Sequence, residues 1–307
     1  MSDKINVRWI KVPKIISSKT IRSNIGYFSA FISAAMFGSI STLAKPIVTD
    51  FDPILLASIA SLITAAVLTP ITIQSKFNVS RKNIKIIFAI AILGAVIAPS
   101  LYFIGLKTTS ASNATILANT EIVFTVLIAT LIFRYKLNRY GGLSAILVFI
   151  GIFIITTKLD FSKTPIDLTN PGNLLIVLTM LCWSIDNNLS KILTKSIDTK
   201  RIVQLKSAIG GAVLIVLAII FKIPLVFDAS KIFNVIFLGL IGFAVPMLLF
   251  YFALKKIGTV KTILIFSTSS IFGVIFTMVF LNEQIQEYQI LAMGIMVIGI
   301  VLLKKSD

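Results

Sequence analysis

The chain contains no histidine, one cysteine and only 12 acidic residues among its 307. Without histidine it has no imidazole metal ligand, no histidine general base and no histidine proton relay. Cys182 falls inside an apolar run, so the sequence offers neither a disulfide framework nor a cysteine metal site. It also lacks a nucleotide-binding motif. We therefore expect no metal and no cofactor.

Charge is scarce as well: charged residues make up 13% of the chain, hydrophobic residues 57%, and the mean hydropathy is +0.99. Soluble domains hold about 25% charged residues. The uncharged runs reach about 20 residues, the length at which an α-helix crosses about 30 Å of hydrocarbon. We predict an all-α integral membrane protein with ten transmembrane helices. The expected spans are 25–46, 53–74, 84–106, 110–133, 141–157, 171–195, 201–221, 232–254, 258–281 and 286–303.

The formal net charge of +17 is unevenly distributed along the chain. If successive loops alternate between the two sides, 23 of the 29 Lys and Arg residues, including Lys206, fall on the side of the N-terminus. The positive-inside rule then predicts that both termini are cytoplasmic and that the protein resides in the cytoplasmic membrane. We interpret the basic excess as a topology signal and an attraction to anionic lipids, and we expect no nucleic-acid partner.

The first 24 residues form a basic segment that includes Trp9, Ile10, Ile15 and Ile16. Apolar side chains among basic ones suit an arm that lies in the membrane interface. A disordered arm fits this composition equally well. The segment is not a cleavable signal, because the apolar run that follows is too long and nine more come after it.

The two halves of the chain resemble each other. Lys45 corresponds to Lys191 at an offset of 146 residues, and Phe124 corresponds to Phe272 at an offset of 148. Each half holds five predicted spans, and because five is odd the second half must cross the membrane in the opposite sense. Such inverted repeats are typical of transporters, whose substrate site lies between the halves near mid-bilayer. The predicted units are a first repeat at 25–157, an external linker at 158–170, a second repeat at 171–303 and a C-terminus at 304–307.

Polar side chains inside the sixth predicted span fall on one helical face. Trp183, Asp186, Asn187, Ser190 and Lys191 follow a spacing of three and four residues. Because an unpaired charge is expensive in hydrocarbon, an intramembrane carboxylate is a functional candidate by default. The face can bind a small polar ligand or a cation. Alternatively, Asp186 can simply pair with Lys191 or cap the backbone of a neighbouring helix.

The fourth and ninth predicted spans are polar at the same depth. Glu121 and Asn113 share one face of the fourth span, and Asn119 points nearly the opposite way. Ser267 and Ser270 lie at the corresponding depth of the ninth span. These side chains are candidates for a substrate cavity or an ion-coupling site, and hydrogen bonding within the helices is the structural alternative.

Pro99 and Pro246 stand within one position of each other under the repeat offset of 148. A proline inside a helix removes one backbone hydrogen bond and permits a kink. Paired interruptions in two repeats indicate moving, substrate-lining helices, although membrane helices also tolerate proline without such a role. Tyr102 follows Pro99 closely and is a candidate for lining the same cavity.

Three segments together resemble the drug/metabolite transporter superfamily, EamA type. They are Pro99-Ser-Leu-Tyr-Phe-Ile-Gly-Leu-Lys-Thr-Thr-Ser-Ala-Ser, Asn119-Thr-Glu-Ile-Val-Phe and Cys182-Trp-Ser-Ile-Asp-Asn-Asn-Leu-Ser-Lys. The resemblance extends over residues 25–303. Glu283 matches a glutamate that the family carries after the ninth span, whereas Tyr135 stands where the family has another glutamate after the fourth. The resemblance implies a fold of ten helices and secondary active transport of small metabolites, often export.

Three classes of function remain open from the sequence. The first is a secondary transporter for small polar metabolites, with amino acids and related compounds among the candidates and with proton coupling through Glu121 and Asp186. The second is a channel or a flippase of the same fold for a lipid-linked substrate. The third, an intramembrane enzyme, is disfavoured because no metal-binding acidic pair and no nucleophile with a base is evident. The expected partners are a small-molecule substrate and anionic lipid, and the oligomeric state stays open between monomer and homodimer.

Overall fold

A computed structural model describes residues 18–73, 80–133, 138–159, 170–224 and 231–303. Most of the predicted basic arm, most of the external linker, Tyr135 and the C-terminal residues 304–307 lie outside these ranges. Every regular element within the ranges is a helix.

The first half of the chain folds into eight α-helices and one π-helical segment, which we call π1. These are α1 (Ser18–Gly38), α2 (Ile40–Val48), α3 (Pro53–Thr72), α4 (Arg81–Ala91), π1 (Ile92–Ile97), α5 (Ala98–Thr108), α6 (Ala111–Leu117), α7 (Thr120–Phe133) and α8 (Arg139–Thr157).

The second half contains seven α-helices and a second π-helical segment, π2. These are α9 (Pro171–Leu193), α10 (Thr199–Ile220), α11 (Ile232–Phe237), π2 (Leu238–Ala244), α12 (Val245–Ile257), α13 (Thr259–Phe266), α14 (Ser269–Leu281) and α15 (Glu287–Leu303). In each half, a short break or a π-helical segment divides helices that lie within one predicted span.

Side-chain caps fix the start of corresponding helices in the two halves. The Asp52 carboxylate accepts hydrogen bonds from the backbone N–H groups of Ile54 and Leu55 and so caps α3. Asp198 caps α10 in the same way through the N–H of Lys200. An acceptor at this position satisfies donors that have no partner inside the helix. The caps thus place the start of α10 at Thr199, close to the predicted span boundary.

Each π-helical segment directly precedes one of the paired prolines. Pro99 is the second residue of α5 and Pro246 the second residue of α12. Because proline has no N–H, Ala95 loses the partner that its carbonyl would have in a regular α-helix. The Ser61 hydroxyl donates to that carbonyl at 3.4 Å instead. The prolines therefore explain where the helical winding changes, and π-bulges are frequent at functional sites.

The prediction of an all-helical membrane protein is confirmed for the described residues. Six helical segments are long and apolar enough to cross a bilayer: Asn24–Val48, Pro53–Thr72, Asn83–Thr108, Ala111–Leu131, Thr199–Ile220 and Ile232–Ile257. The apolar helices Arg139–Ile155, Ser269–Leu281 and Glu287–Leu302 are shorter. Helix α9 is long enough but carries the polar face predicted from the sequence. The arrangement as ten spans in two inverted repeats stays a prediction.

Helices from the two halves pack closely against each other. The most extensive contacts join α3 to α10, α8 to α15, α1 to α12 and α5 to α9. Glycine permits a close approach: a Cβ at Gly273 would lie 2.2 Å from the Thr115 Cγ2, so the backbone of α14 packs directly against a side chain of α6. By contrast α13 and α7, which continue these two helices, touch only slightly. The α6–α14 end of this helix pair is therefore closed, while the α7–α13 end is splayed.

Candidate functional site

A small cavity lies between the two halves of the chain. Its volume is about 40 Å³. A cavity needs about 10–15 Å³ to hold one water molecule. It can therefore hold a few waters but no metabolite, so binding a substrate requires the surrounding helices to move. The lining residues are Phe37, Glu121, Trp183, Asp186, Asn187, Lys206, Gly242, Phe243, Pro246, Met247, Phe250, Tyr251 and Phe266.

One wall of the cavity is a buried ion pair between α9 and α10. The Lys206 ammonium contacts the Asp186 carboxylate, and the two side chains are 1% and 2% exposed. Lys206 also donates to the Tyr251 hydroxyl at 2.7 Å, and the Ser190 hydroxyl donates to Asp186 at 2.8 Å. The Tyr251 hydroxyl lies 3.3 Å from both carboxylate oxygens. Each charge is thus compensated by several hydrogen bonds, as a buried pair requires.

Lys206 is the charged residue of the site that was not predicted from the sequence. It falls inside the predicted span 201–221 but was counted among the basic residues on the side of the N-terminus, whereas α10 starts at Thr199 and places Lys206 two turns inside the helix. The alternative that Asp186 pairs with Lys191 is wrong, because the Lys191 ammonium donates to the carbonyl of Leu254 at 2.6 Å. A signal for Lys206 is present in the sequence: at the repeat offset of 146 it corresponds to Ala60, so the second half has a lysine where the first half has an apolar residue.

The second acidic group, Glu121, lies at the start of α7, just after the break that separates it from α6. Its carboxylate accepts a hydrogen bond from the Asn187 side-chain amide at 2.6 Å, and its backbone carbonyl accepts one from the Ser184 hydroxyl at 2.9 Å. The side chain is buried, and among the described residues it forms no salt bridge. Glu121 thus differs from Asp186, since no cation within the described ranges is in contact with its carboxylate.

Aromatic rings form the rest of the wall. The Phe37 ring lies 5.4 Å from Trp183 and 4.8 Å from Phe266, and Phe250 lies 4.7 Å from Phe266. The Trp183 indole N–H donates to the carbonyl of Gly94 at 3.2 Å, which fixes the ring against π1. Faces of aromatic rings beside a carboxylate suit a ligand that carries a positive charge or an apolar body.

Gly94 brings π1 against the acidic side of the cavity. A Cβ at this position would lie 2.2 Å from the Asp186 Oδ2 and 2.5 Å from its Cγ. The absence of a side chain therefore lets the Asp186 carboxylate pack directly against the backbone of π1. The π-helical segment next to Pro99 contributes to the site in this way, although Pro99 itself is not among the residues that line the cavity.

Five of the predicted site residues line the cavity, namely Glu121, Trp183, Asp186, Asn187 and Pro246. Tyr102 does not, because its hydroxyl lies 2.6 Å from the Ser41 hydroxyl in a buried network that Thr115 completes. Asn113 is also buried away from the cavity, and its carbonyl oxygen accepts a hydrogen bond from the Gln289 amide at 2.6 Å. Both residues therefore join neighbouring helices.

The remaining predicted residues also lie outside the cavity lining. Asn119 is buried in the break between α6 and α7, and its side-chain nitrogen has no partner among the described residues. The Ser270 hydroxyl donates to the carbonyl of Ser267 at 3.1 Å. That bond pairs a backbone carbonyl at the break between α13 and α14. It agrees with the alternative that these serines form hydrogen bonds within their own helix.

A second and larger cavity, of about 560 Å³, opens between α2, π2 and α14. Its lining is mostly apolar and consists of Ser39, Thr42, Leu43, Pro46, Asn234, Phe237, Ile241, Phe276, Phe280 and Leu281. Phe280 is 68% exposed and Phe237 40%, so the cavity continues onto the apolar outer surface of the helices. Residues of π2 separate it from the smaller polar cavity, because Gly242 and Phe243 line the latter.

Comparison with known proteins gives a consistent result. The EamA-like transporter family model matches residues 24–157 and again residues 170–304. An uncharacterized transporter of Methanothermobacter thermautotrophicus is 28% identical over 91% of this chain and 85% of its own length. The uncharacterized transporter YyaM of Bacillus subtilis is 23% identical over 86% and 88%. A solved crystal structure with 17% identity has the same fold, with a TM-score of 0.63 over 94% of this chain and 98% of the other.

Proposed function

Because the chain belongs to the EamA-like transporter family, we propose that it is a secondary transporter for small polar metabolites and works by alternating access. It carries out transport rather than catalysis. In this proposal the protein spans the cytoplasmic membrane with both termini in the cytoplasm, as the distribution of Lys and Arg predicts. Export is the proposed direction. Anionic lipid on the cytoplasmic side attracts the basic loops and the N-terminal arm.

The observation that carries the proposal is the buried polar cavity between the two halves. Glu121, Asp186 and Lys206 are ionisable groups placed deep in an otherwise apolar helical protein. Such groups are expensive in a membrane and mark substrate or ion pathways. Their position between the predicted repeats agrees with a site around which the halves rock. The small volume then corresponds to a state of the transport cycle in which the site is too small for substrate.

The lining also supports a class of substrate. A carboxylate without a cationic partner, Glu121, favours a ligand with an ammonium group, and the adjoining Phe37 and Trp183 rings favour the same charge. Lys206 supplies a positive charge nearby for an anionic group. Amino acids and related compounds combine these features. We propose that a proton gradient drives transport of the substrate and that the intramembrane carboxylates carry the protons.

A thermal-unfolding screen of the purified protein tests this proposal. The panel consists of amino acids, amines, nucleosides, sugars and organic acids. A ligand present at about 100 times its dissociation constant adds about 2.7 kcal/mol of stability, which shifts the melting temperature measurably. We expect a hit among the amino acids or amines that is lost in Glu121→Gln and kept in Glu287→Gln, a change at an exposed position in α15. A hit that survives Glu121→Gln would move the substrate site elsewhere.

Transport of the compound found in the screen is then measured in proteoliposomes with an imposed pH gradient. We expect uptake or efflux that collapses when the gradient is dissipated. Full proton-dependent flux in a variant that combines Glu121→Gln with Asp186→Asn would contradict proton coupling through these carboxylates. Ion currents in single-channel recordings would contradict alternating access and favour a channel.

The second cavity favours one alternative function, that of a flippase for a lipid-linked substrate. Its apolar lining and the exposed rings of Phe237 and Phe280 would accept an acyl or polyprenyl chain from the bilayer. In this case the screen finds no water-soluble ligand, and translocation of a fluorescent lipid in proteoliposomes depends on the protein. Absence of such translocation, together with a soluble hit, would exclude the flippase.

A further inference from the structure

The two acidic residues of the cavity differ in their charge environment. Asp186 forms a salt bridge with Lys206 and also accepts a hydrogen bond from the Ser190 hydroxyl. Glu121 receives only the neutral Asn187 amide among the described side chains. A buried ion pair with good hydrogen bonds is stable as a unit, whereas removal of one partner leaves a costly charge. Among the described residues, Asp186 therefore has a counter-ion in contact and Glu121 has none.

The ion pair has no counterpart at the equivalent positions of the first predicted repeat. Under the repeat offsets, Asp186 corresponds to Ile40 and Lys206 to Ala60, and Tyr251 corresponds to Phe103. These three first-half residues are buried, with exposed fractions of 1%, 1% and 0%. The equivalent position of the first half is thus filled by apolar side chains alone. An ion pair that is present in only one of the two similar halves is a candidate for a role in function.

We propose that the Asp186–Lys206 pair is a fixed neutral unit and that Glu121 alone exchanges the coupling proton. The proposal rests on the proposed function, since it names the residue through which transport is coupled. Lys206 is then a positioning residue: it binds Asp186 and thereby leaves Glu121 without a counter-ion. One proton is exchanged for each transport cycle.

The groups around Glu121 decide how each change acts. Helix α9 presents Asp186 and Asn187, α10 presents Lys206 and α12 presents Tyr251 to the same cavity, while α1 and α13 contribute the uncharged rings of Phe37 and Phe266. Lys206 is thus the one cation among the described residues that line the cavity. If Asp186 becomes neutral, the nearest carboxylate for Lys206 is Glu121, which would then be held as its counter-ion.

The protonation of Glu121 can be observed without any substrate. The chain has two tryptophans, Trp9 and Trp183, and Trp183 lines the cavity. In a Trp9→Phe protein the fluorescence of Trp183 reports charge changes beside it. We expect one titration step as pH is varied, and we expect Glu121→Gln to abolish it. A step that remains unchanged in Glu121→Gln would overturn the proposal.

Changes at the ion pair make the test sharper. Asp186→Asn should remove this step, because Lys206 then pairs with Glu121. Asp186→Asn combined with Lys206→Met should restore it, and Lys206→Met alone should add a second step from the unpaired Asp186. A merely structural role of the pair predicts no such restoration. If the folded variant with Asp186→Asn and Lys206→Met shows no titration step, Glu121 is not the titrating group and the proposal fails.

Folding is checked by size-exclusion chromatography and thermal unfolding of every variant. A second double variant, Asp186→Ile with Lys206→Ala, copies the residues of the first half and should also fold and keep a single step. The titration uses no substrate, so its outcome does not depend on which compound is carried. An absence of proton-coupled flux with an intact titration would reject the proposed coupling but leave the assignment of the proton to Glu121.

Discussion

Lys45 and Lys191 make the same contact in the two halves of the chain. The Lys45 ammonium donates to the carbonyl of Leu106 at 2.7 Å, and the Lys191 ammonium donates to the carbonyl of Leu254 at 2.6 Å. Leu106 and Leu254 are themselves equivalent at the offset of 148 residues. Each lysine therefore joins its own helix to another helix of the same half: Lys45 joins α2 to α5, and Lys191 joins α9 to α12. Both accepting carbonyls lie near a helix C-terminus, where positive charge is favourable.

The first prediction concerns this contact in the second half. Lys191→Met should lower the free energy of unfolding by about 1 kcal/mol, because the last turn of α12 loses a charged donor. Lys195→Met is the matched control, since Lys195 is exposed. Thermal unfolding of the purified variants measures both. Equal melting temperatures for the two variants would show that the contact contributes nothing to stability.

The second prediction concerns Glu283. Its carboxylate accepts hydrogen bonds from the backbone N–H groups of Ala111 and Ser112, both at 2.9 Å, and so joins the turn after α14 to the start of α6. Glu283→Ala should destabilise the protein by about 1.5–3 kcal/mol, the usual size for a hydrogen bond to a charged group. Glu287→Ala, at an exposed position, should have little effect.

Loss of this bond should also loosen the closed end between α6 and α14. A cysteine introduced at Thr115 in a Cys182→Ser background reports on that end, since Thr115 is buried against Gly273. We expect faster labelling by a water-soluble maleimide when Glu283→Ala is added. An unchanged labelling rate alongside a lowered melting temperature would mean that Glu283 stabilises the fold without closing this end.

Some of these features follow from the sequence and others do not. Helical class and membrane character follow from the length of the apolar runs, and Glu121 and Asp186 were found because a carboxylate in hydrocarbon stands out. Lys206 lies inside the predicted span 201–221 but was missed as a site residue because a lysine near the end of a span was interpreted as a topology signal. The Asp198 cap, which starts α10 at Thr199, is a local signal that Lys206 lies two turns inside the helix.

Polarity alone could not tell which residues face the cavity. Asn113 and Tyr102 are as polar as Asn187, but they bond to Gln289 and Ser41 on neighbouring helices. Their partners lie far away in the sequence, so helical spacing within one span does not reveal them. The choice between a cavity and a helix contact is made by tertiary packing, which only the assembled helices determine.

The third prediction concerns Gly94, whose backbone packs against Asp186. Gly94→Ala would place a Cβ at 2.2 Å from the Asp186 Oδ2, so the carboxylate or π1 must move. We expect a destabilisation of about 1–3 kcal/mol, typical of overpacking, together with a loss of the ligand-induced shift in melting temperature. Gly294→Ala is the control, because nothing lies within 4 Å of a Cβ there. A stable Gly94→Ala protein that binds ligand normally would contradict a close approach of π1 to the site.

The last prediction concerns Tyr251, whose first-half equivalent is Phe103. Tyr251→Phe removes the hydroxyl that accepts from Lys206 at 2.7 Å and leaves the ring in place. The protein should fold, with a loss of about 1–3 kcal/mol because buried polar groups lose one partner. Phe103→Tyr is the matched reverse change, and it should destabilise more, because the apolar first-half equivalents Ile40 and Ala60 offer no partner for a new hydroxyl. Thermal unfolding of both variants measures the difference, and a reversed order would show that the two positions are not equivalent.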